Sequence, residues 1–262
     1  MILGYHYRDF VEYGIKLPIS IIMPKRHSNI LIAGKSGSGK SLSTLWYLWE
    51  MLVTGESVVY IADYKAGEEY EMFEESRSYA SGVNAIQMIK DFYEFFTLIR
   101  QNKIRKHKHY TLVIEEYFGL LTYAESQSKK LKTEIMAMVG EMLSVSRGLN
   151  MGLIVNIQRA DASAFTSGAR DQFQVVISFG RCSTEHFKML GFSGELEENP
   201  TTHYKSGQAL ALVDGQDSVY EIIVPLIKNS NTMCKQILKY LNMQSDIPSL
   251  IRSIGEDRDS NL

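Results

Sequence analysis

The sequence predicts an α/β fold with a largely parallel central sheet, and three observations carry that prediction. Short β-branched and aliphatic runs alternate with longer stretches of helical periodicity along most of the 262 residues. Several of the short runs, ILIA at 30–33 among them, are apolar without polar alternation, as strands covered on both faces are. The first of these runs leads into a glycine- and serine-rich octet, GKSGSGKS, which the helical segment LSTLWYLWEMLV follows at once.

Taken in order, strands are expected at 29–33, 57–62, 111–114, 152–157, 174–179, 209–213 and 218–224, and helices at 41–53, 85–105, 129–146, 184–190 and 232–241. Thr54-Gly55 gives the first helix a stop signal. Residues 1–28 read as a short lead-in with a strand around 19–23, residues 29–228 as one principal domain, and residues 229–262 as a helical segment ending in the polar tail GEDRDSNL.

Composition narrows the class of protein without choosing a function. Hydrophobic residues at 45% and charged residues at 22% are ordinary for a globular chain, and a net charge of −2 leaves any nucleic-acid contact to local patches. The two cysteines, Cys182 and Cys234, are isolated; they form neither a disulfide framework nor a metal motif and suit a reducing cytoplasm. No apolar run approaches the roughly 20 residues that span a bilayer, and the opening MILGYHYRDF lacks the features of a secretion leader.

The octet Gly34, Lys35, Ser36, Gly37, Ser38, Gly39, Lys40, Ser41 matches G-x-x-x-x-G-K-[ST] in full. Its glycines allow a tight turn whose backbone N–H groups face phosphate oxygens, and the helix that follows adds a favourable dipole. Lys40 is placed to reach the β and γ phosphates and Ser41 to ligate Mg²⁺. A plain Gly/Ser turn is the simpler reading; the complete octet with both flanks in place favours the phosphate loop.

The strand in YTLVIEEYFGL ends in Glu115-Glu116. A magnesium nucleotide needs a carboxylate near the metal, which is the role read for Glu115, and a neighbouring carboxylate can act as general base on water, the role read for Glu116. Two solvated glutamates are the alternative. The pair argues for hydrolysis over phosphorylation of a small molecule, since a kinase keeps water from the γ-phosphate. A third strand, GLIVNIQRADA, ends at Gln158, whose amide is suited to bond the γ-phosphate or the water.

With these pieces in order, the chain resembles the FtsK/SpoIIIE branch of the HerA–FtsK ATPases, conjugative coupling proteins in particular. The resemblance is carried by ILIAGKSGSGKS, VVYIADYKAGEE, LVIEEYFGL, SRGLNMGLIVNIQRADA and GARDQFQVVISFGR, over about residues 30–225. It implies a RecA-like P-loop NTPase core over 29–228 acting as an ATP-hydrolysing motor, assembled as a homo-hexamer that drives double-stranded DNA, or single strands, through a central channel in mobile-element transfer. It also implies a bacterial, cytoplasmic protein with a membrane or relaxase-type partner. By position, Lys40 and Ser41 bind phosphate and Mg²⁺, Glu115 and Glu116 are the acidic pair, Gln158 is a γ-phosphate sensor, and Arg147 reaches the neighbouring subunit's nucleotide. Arg170 and Arg181 are rivals for that last role, and Arg159 is read as positioning Gln158.

Three departures stand out: Glu115 replaces an aspartate, Ala160 replaces a proline, and the membrane-spanning and DNA-orienting domains of larger members have no counterpart. A motor for protein secretion or virion packaging, and a nucleotide-gated assembly module with little turnover, are the rival functions. The basic stretches KIRKHKH (103–109) and SQSKKLK (126–132) are candidate DNA contacts or plain solvated faces, and Asp63 with Lys65 either shapes the nucleotide site or forms a simple turn. Trp46, Trp49, Phe92 and Phe95 fall at helical spacing and read as core.

Overall fold

The computed structural model describes all residues except 24, 25, 106, 160, 161, 167, 181, 182, 193–204, 217, 218, 226, 228 and 260–262. The strands are β1 (Ile2–His6), β2 (Pro18–Ser20), β3 (Ile30–Gly34), β4 (Val58–Asp63), β5 (Tyr79–Ser81), β6 (Tyr110–Glu115), β7 (Met151–Ile157), β8 (Val175–Phe179), β9 (Gln208–Val213) and β10 (Tyr220–Ile223). The helices are α1 (Tyr7–Tyr13), α2 (Lys40–Val53), α3 (Asn84–Gln101), α4 (Tyr117–Gln127), α5 (Lys129–Val145), α6 (Thr184–Met189), α7 (Ser230–Met243) and α8 (Ile247–Asp259). Short 3₁₀ turns include Glu68–Glu75 and Ser146–Leu149.

One ten-stranded sheet runs in the order β2-β1-β10-β9-β8-β3-β7-β6-β4-β5. The five pairings from β8 to β5 are parallel, and the four from β2 to β8 are antiparallel. Both edges are strands of three residues, β2 and β5.

The expected non-alternating strands have the expected cause: successive side chains enter two separate cores. Leu31, Tyr60, Leu112 and Ile114 point into one core with α3, α4, α5 and α8, while Ile30, Ile32, Val59 and Val113 point into the other with α2 and α7. Trp46 and Trp49 pack against the second core, and Phe92 and Phe95 lie inside the first. This is the RecA-like α/β arrangement, with helices on both faces of the parallel half.

Several boundaries differ from expectation. Residues 1–28 contribute β1 and β2 to the main sheet, with Tyr5 and His6 paired to Ile223 and Ile222 across more than 200 positions of sequence, and the strand expected at 19–23 is Pro18–Ser20. The helix expected over 85–105 stops at Gln101, where Lys103 turns at φ 53°. The polar C-terminal stretch begins as α8, whose Ile247 is buried and whose Leu250, Ile251 and Ile254 pack on the first core.

Chain order fixes where the loops converge. After β3 the chain crosses to β4, returns through β6 to β7, and then passes over β3 to β8, so the loops leaving β3, β4, β6 and β7 meet at one end of the sheet, at its topological switch.

Candidate functional site

The loop 34–41 occupies that switch, between the last residue of β3 and the first turn of α2. Gly39 stands immediately before α2 at φ 96°, and a Cβ there would lie 2.7 Å from the Gly207 nitrogen. At Gly34 (φ 153°) a Cβ would come 2.6 Å from the Phe179 carbonyl oxygen. These two positions demand glycine because backbone from β8 and from the approach to β9 closes on the loop. Gly207 N–H also donates to the Ser38 carbonyl at 3.0 Å, tying the antiparallel half of the sheet to the loop.

Lys35, Ser36, Gly37, Gly39, Lys40, Ser41, Glu115, Glu116 and Gln158 line a single cavity of about 220 Å³. The sequence-predicted loop, acidic pair and glutamine are therefore brought together; Gly34 and Ser38 stand behind as the loop's frame. Lys40 Nζ donates to the Gly34 carbonyl at 2.5 Å. Burial lowers the pKa of Lys40, Glu116 and Glu115 oppose that shift, and Lys65 adds to it.

Glu115 is buried, and burial pushes its carboxyl up to about 7, with the nearby Asp63 charge acting in the same direction. Two donors resist that shift. Tyr70 Oη–H donates to Glu115 Oε1 at 2.6 Å, and Asn156 Nδ2 donates to the same oxygen. Asn156 Nδ2 also reaches Thr44 Oγ1 at 2.7 Å, which links the β7 strand, the α2 helix and Glu115. Oε1 is thus engaged from within the protein, and Oε2 is the oxygen left for a ligand.

Glu116 follows in the left-handed region at φ 54°, which turns its side chain away from the core and starts α4. Its Oε2 accepts from Gln158 Nε2 at 3.1 Å, so the expected base and sensor touch each other across β6 and β7. Among the described residues no group of three His, Cys, Asp or Glu is placed to hold a metal alone. Ser41 and Glu115 fit the Mg²⁺ habit of one or two protein oxygens completed by phosphate and water.

Sequence reading did not find Tyr70, Asn156 or Ser206. Tyr70 sits in the 3₁₀ turn Glu68–Glu75 among glutamates, and Ser206 reaches the cavity from the segment before β9. Asn156 alone carried a signal, as the one polar residue in an otherwise apolar strand.

The arginines separate. Arg147 is exposed in the turn that precedes β7, at the sheet end opposite the cavity. Arg170 Nη1 donates to the Met189 carbonyl at 3.1 Å. Arg159, expected to position Gln158, pairs with Glu185 at 3.0 Å. Arg181 and Ala160 lie outside the described residues. The described residues of the basic stretch 103–109, all but 106, precede β6, also at the end away from the cavity, and the Lys129–Lys132 segment opens α5, where Lys132 pairs with Glu125 at 2.7 Å.

No family model and no curated protein matches the chain. Solved structures do. The pCW3 conjugation coupling protein TcpA, in its monomer form with ATPγS, is 20% identical with a TM-score of 0.60, over 85% of this chain and 67% of that one. The cytoplasmic domain of the type VII secretion ATPase EccC from Thermomonospora curvata is 13% identical with a TM-score of 0.65, over 94% of this chain and 32% of that one. EssC (ATPases 2 and 3) from Geobacillus thermodenitrificans is 12% identical with a TM-score of 0.64, over 97% and 49%. The chain thus spans about two thirds, a third and a half of these three proteins. The motif resemblance to the FtsK/SpoIIIE branch and these likenesses agree on one conclusion: the chain has the RecA-like fold of P-loop ATPases.

Proposed function

We propose that the chain is a Mg²⁺-dependent ATPase that works as an oligomeric motor on DNA, in the transfer of a mobile element. The observation that carries this reading is the convergence of Lys40, Ser41, Glu115, Glu116 and Gln158 on one cavity behind a complete phosphate loop.

Each side chain has a task that follows from its placement. The loop N–H groups and the Lys40 ammonium, released from the Gly34 carbonyl, bind the β and γ phosphates. Ser41 and Glu115 would hold Mg²⁺, which when bound would neutralise charge on the phosphate oxygens. Glu116 accepts the proton of a water that attacks the γ-phosphorus; the new P–O bond forms as the bond to the β–γ bridging oxygen breaks, giving ADP and phosphate. Gln158, already hydrogen-bonded to Glu116, orients that water. Arg147 serves the neighbouring subunit's nucleotide in a ring, six subunits being the number the resemblance implies.

The fold is shared by a conjugation coupling protein and by secretion ATPases, so it supports a motor without choosing the cargo. The motif stretches SRGLNMGLIVNIQRADA and GARDQFQVVISFGR, at the positions where coupling proteins carry theirs, support DNA. The test is steady-state ATP hydrolysis at ~0.1 M salt, with and without linear double-stranded DNA, over a range of protein concentration. Stimulation by DNA, with specific activity rising as protein is concentrated, is expected. Turnover indifferent to DNA would replace DNA by a protein cargo, and tight ATP binding without turnover would make the chain an assembly module.

A further inference from the structure

We propose that Lys65 is a second phosphate-binding cation of this cavity, meeting the terminal phosphate of a nucleoside triphosphate from the tip of β4. The inference rests on the nucleotide reading above and adds a residue to it, one that makes the site distinguish a triphosphate from a diphosphate.

Position is the first observation. Lys65 lines the same cavity as Lys40, Ser41, Glu115 and Glu116. Its strand pairs directly with β6, Asp63 standing opposite Glu115, so it approaches from the side of the acidic pair and not from the phosphate loop. That is the side where the terminal phosphate, the metal and the attacking water belong.

The turn that carries Lys65 is built to hold it. The buried Asp63 carboxylate accepts from Ala66 N–H at 3.2 Å, from Gly67 N–H at 3.1 Å and from Tyr79 Oη–H at 2.9 Å. Ala66 takes a left-handed conformation at φ 51°, an arrangement that L residues adopt only under constraint. At Gly67 a Cβ would stand 2.5 Å from Glu69 Oε2 and 3.5 Å from Lys65 Nζ, so a side chain there would displace this pair. A solvated surface lysine requires none of these three features.

The ammonium is also available. Lys65 Nζ pairs with Glu69 Oε1 at 3.5 Å, and the side chains are 51% and 29% exposed. An exposed pair of that length is worth little, whereas charge-assisted bonds to phosphate oxygens are among the strong ones. Lys65 and Lys40 repel across the cavity, which a dianionic phosphate between them relieves. In this arrangement Glu69 restrains Lys65, and a terminal phosphate takes the lysine from it.

The test is titration calorimetry of the full chain with Mg·ATPγS and with Mg·ADP, for wild type, Lys65→Gln, Glu69→Gln and the double variant. Lys65 is exposed, so its replacement leaves the fold intact, which circular dichroism verifies. Lys65→Gln is expected to weaken ATPγS about tenfold and ADP less than about threefold. Glu69→Gln is expected to tighten ATPγS about threefold, and that gain should vanish in the Lys65→Gln background. Equal losses for both nucleotides, no loss for either, or a Glu69→Gln gain that persists without Lys65 would each overturn the proposal while leaving the site a nucleotide site. A folded wild type that binds neither nucleotide would remove the nucleotide reading itself, and this inference with it.

Discussion

Glu115 is a buried carboxylate kept in an environment that resists its charge, and that conflict has a measurable sign. Its folded pKa of about 7 lies above the ordinary 4.5, so the folded state holds a proton that the unfolded state has lost. The stability cost is absent below pH 4.5, grows as pH rises, and is complete above pH 7, where it amounts to about 3 kcal/mol as an upper figure. Glu115→Gln keeps an acceptor for Tyr70 and Asn156 and is expected to raise the melting temperature of the nucleotide-free protein, more at pH 8 than at pH 5, while abolishing hydrolysis. Thermal unfolding at the two pH values checks this, and a variant less stable than wild type at pH 8 would refute the burial argument. Gly39 makes the opposite case, a residue whose backbone alone matters. Gly39→Ala combines strain at φ 96° with a close approach to Gly207 and should cost about 2 kcal/mol in urea unfolding, with loss of ATPγS binding.

At the scale of elements, Asn29 does for the sheet what Glu115 does for the site. Its fully buried side chain donates to the Leu143 and Gln172 carbonyls and accepts from Ser146 Oγ and Leu153 N–H, pinning the start of β3 to the end of α5, to β7 and to the approach to β8. Asn29→Ala leaves several buried groups unpaired and is expected to cost about 3 kcal/mol, read as a lowered urea midpoint with unchanged slope. Local pattern made much of this architecture legible. The strands β3, β4, β6, β7 and β8, the helices α2 and α5, and the loop between β3 and α2 are each announced by a run or motif within a dozen residues. What escaped depends on distant partners. β1 has its register set by β10, at the other end of the chain, and β5 is three residues that become a strand only beside β4. In α4, Gly119 and a dense apolar content blur the helical period, and α8 has too polar a sequence to advertise the four apolar residues it packs. The site divides the same way: a spacing motif names the phosphate loop, whereas Tyr70 enters only because the Glu68–Glu75 turn folds back onto β6.

For the whole molecule, the sheet's two ends are the decisive fact. The cavity lies at the ends of β3, β4, β6 and β7, and Arg147 precedes the first residue of the seven-residue β7, roughly 20 Å away along the strand. A chain's own Arg147 does not reach its own cavity, so the role proposed for it requires a neighbour. Lys40→Ala and Arg147→Ala should each be nearly inactive alone. Mixed one to one, they should recover about a quarter of wild-type hydrolysis, because half the sites keep Lys40 and half of those face an intact arginine. No recovery on mixing would remove Arg147 from that role. The two sheet edges bear on the same question of neighbours. β2 and β5 offer three residues apiece, and β2 opens with Pro18, which has no N–H to donate. Edges this short disfavour a backbone ladder from one copy of the chain into the next. In the proposed ring, contacts between copies fall to side chains and loops, which can part and re-form during a working cycle, where a shared ladder would lock adjacent copies into one register.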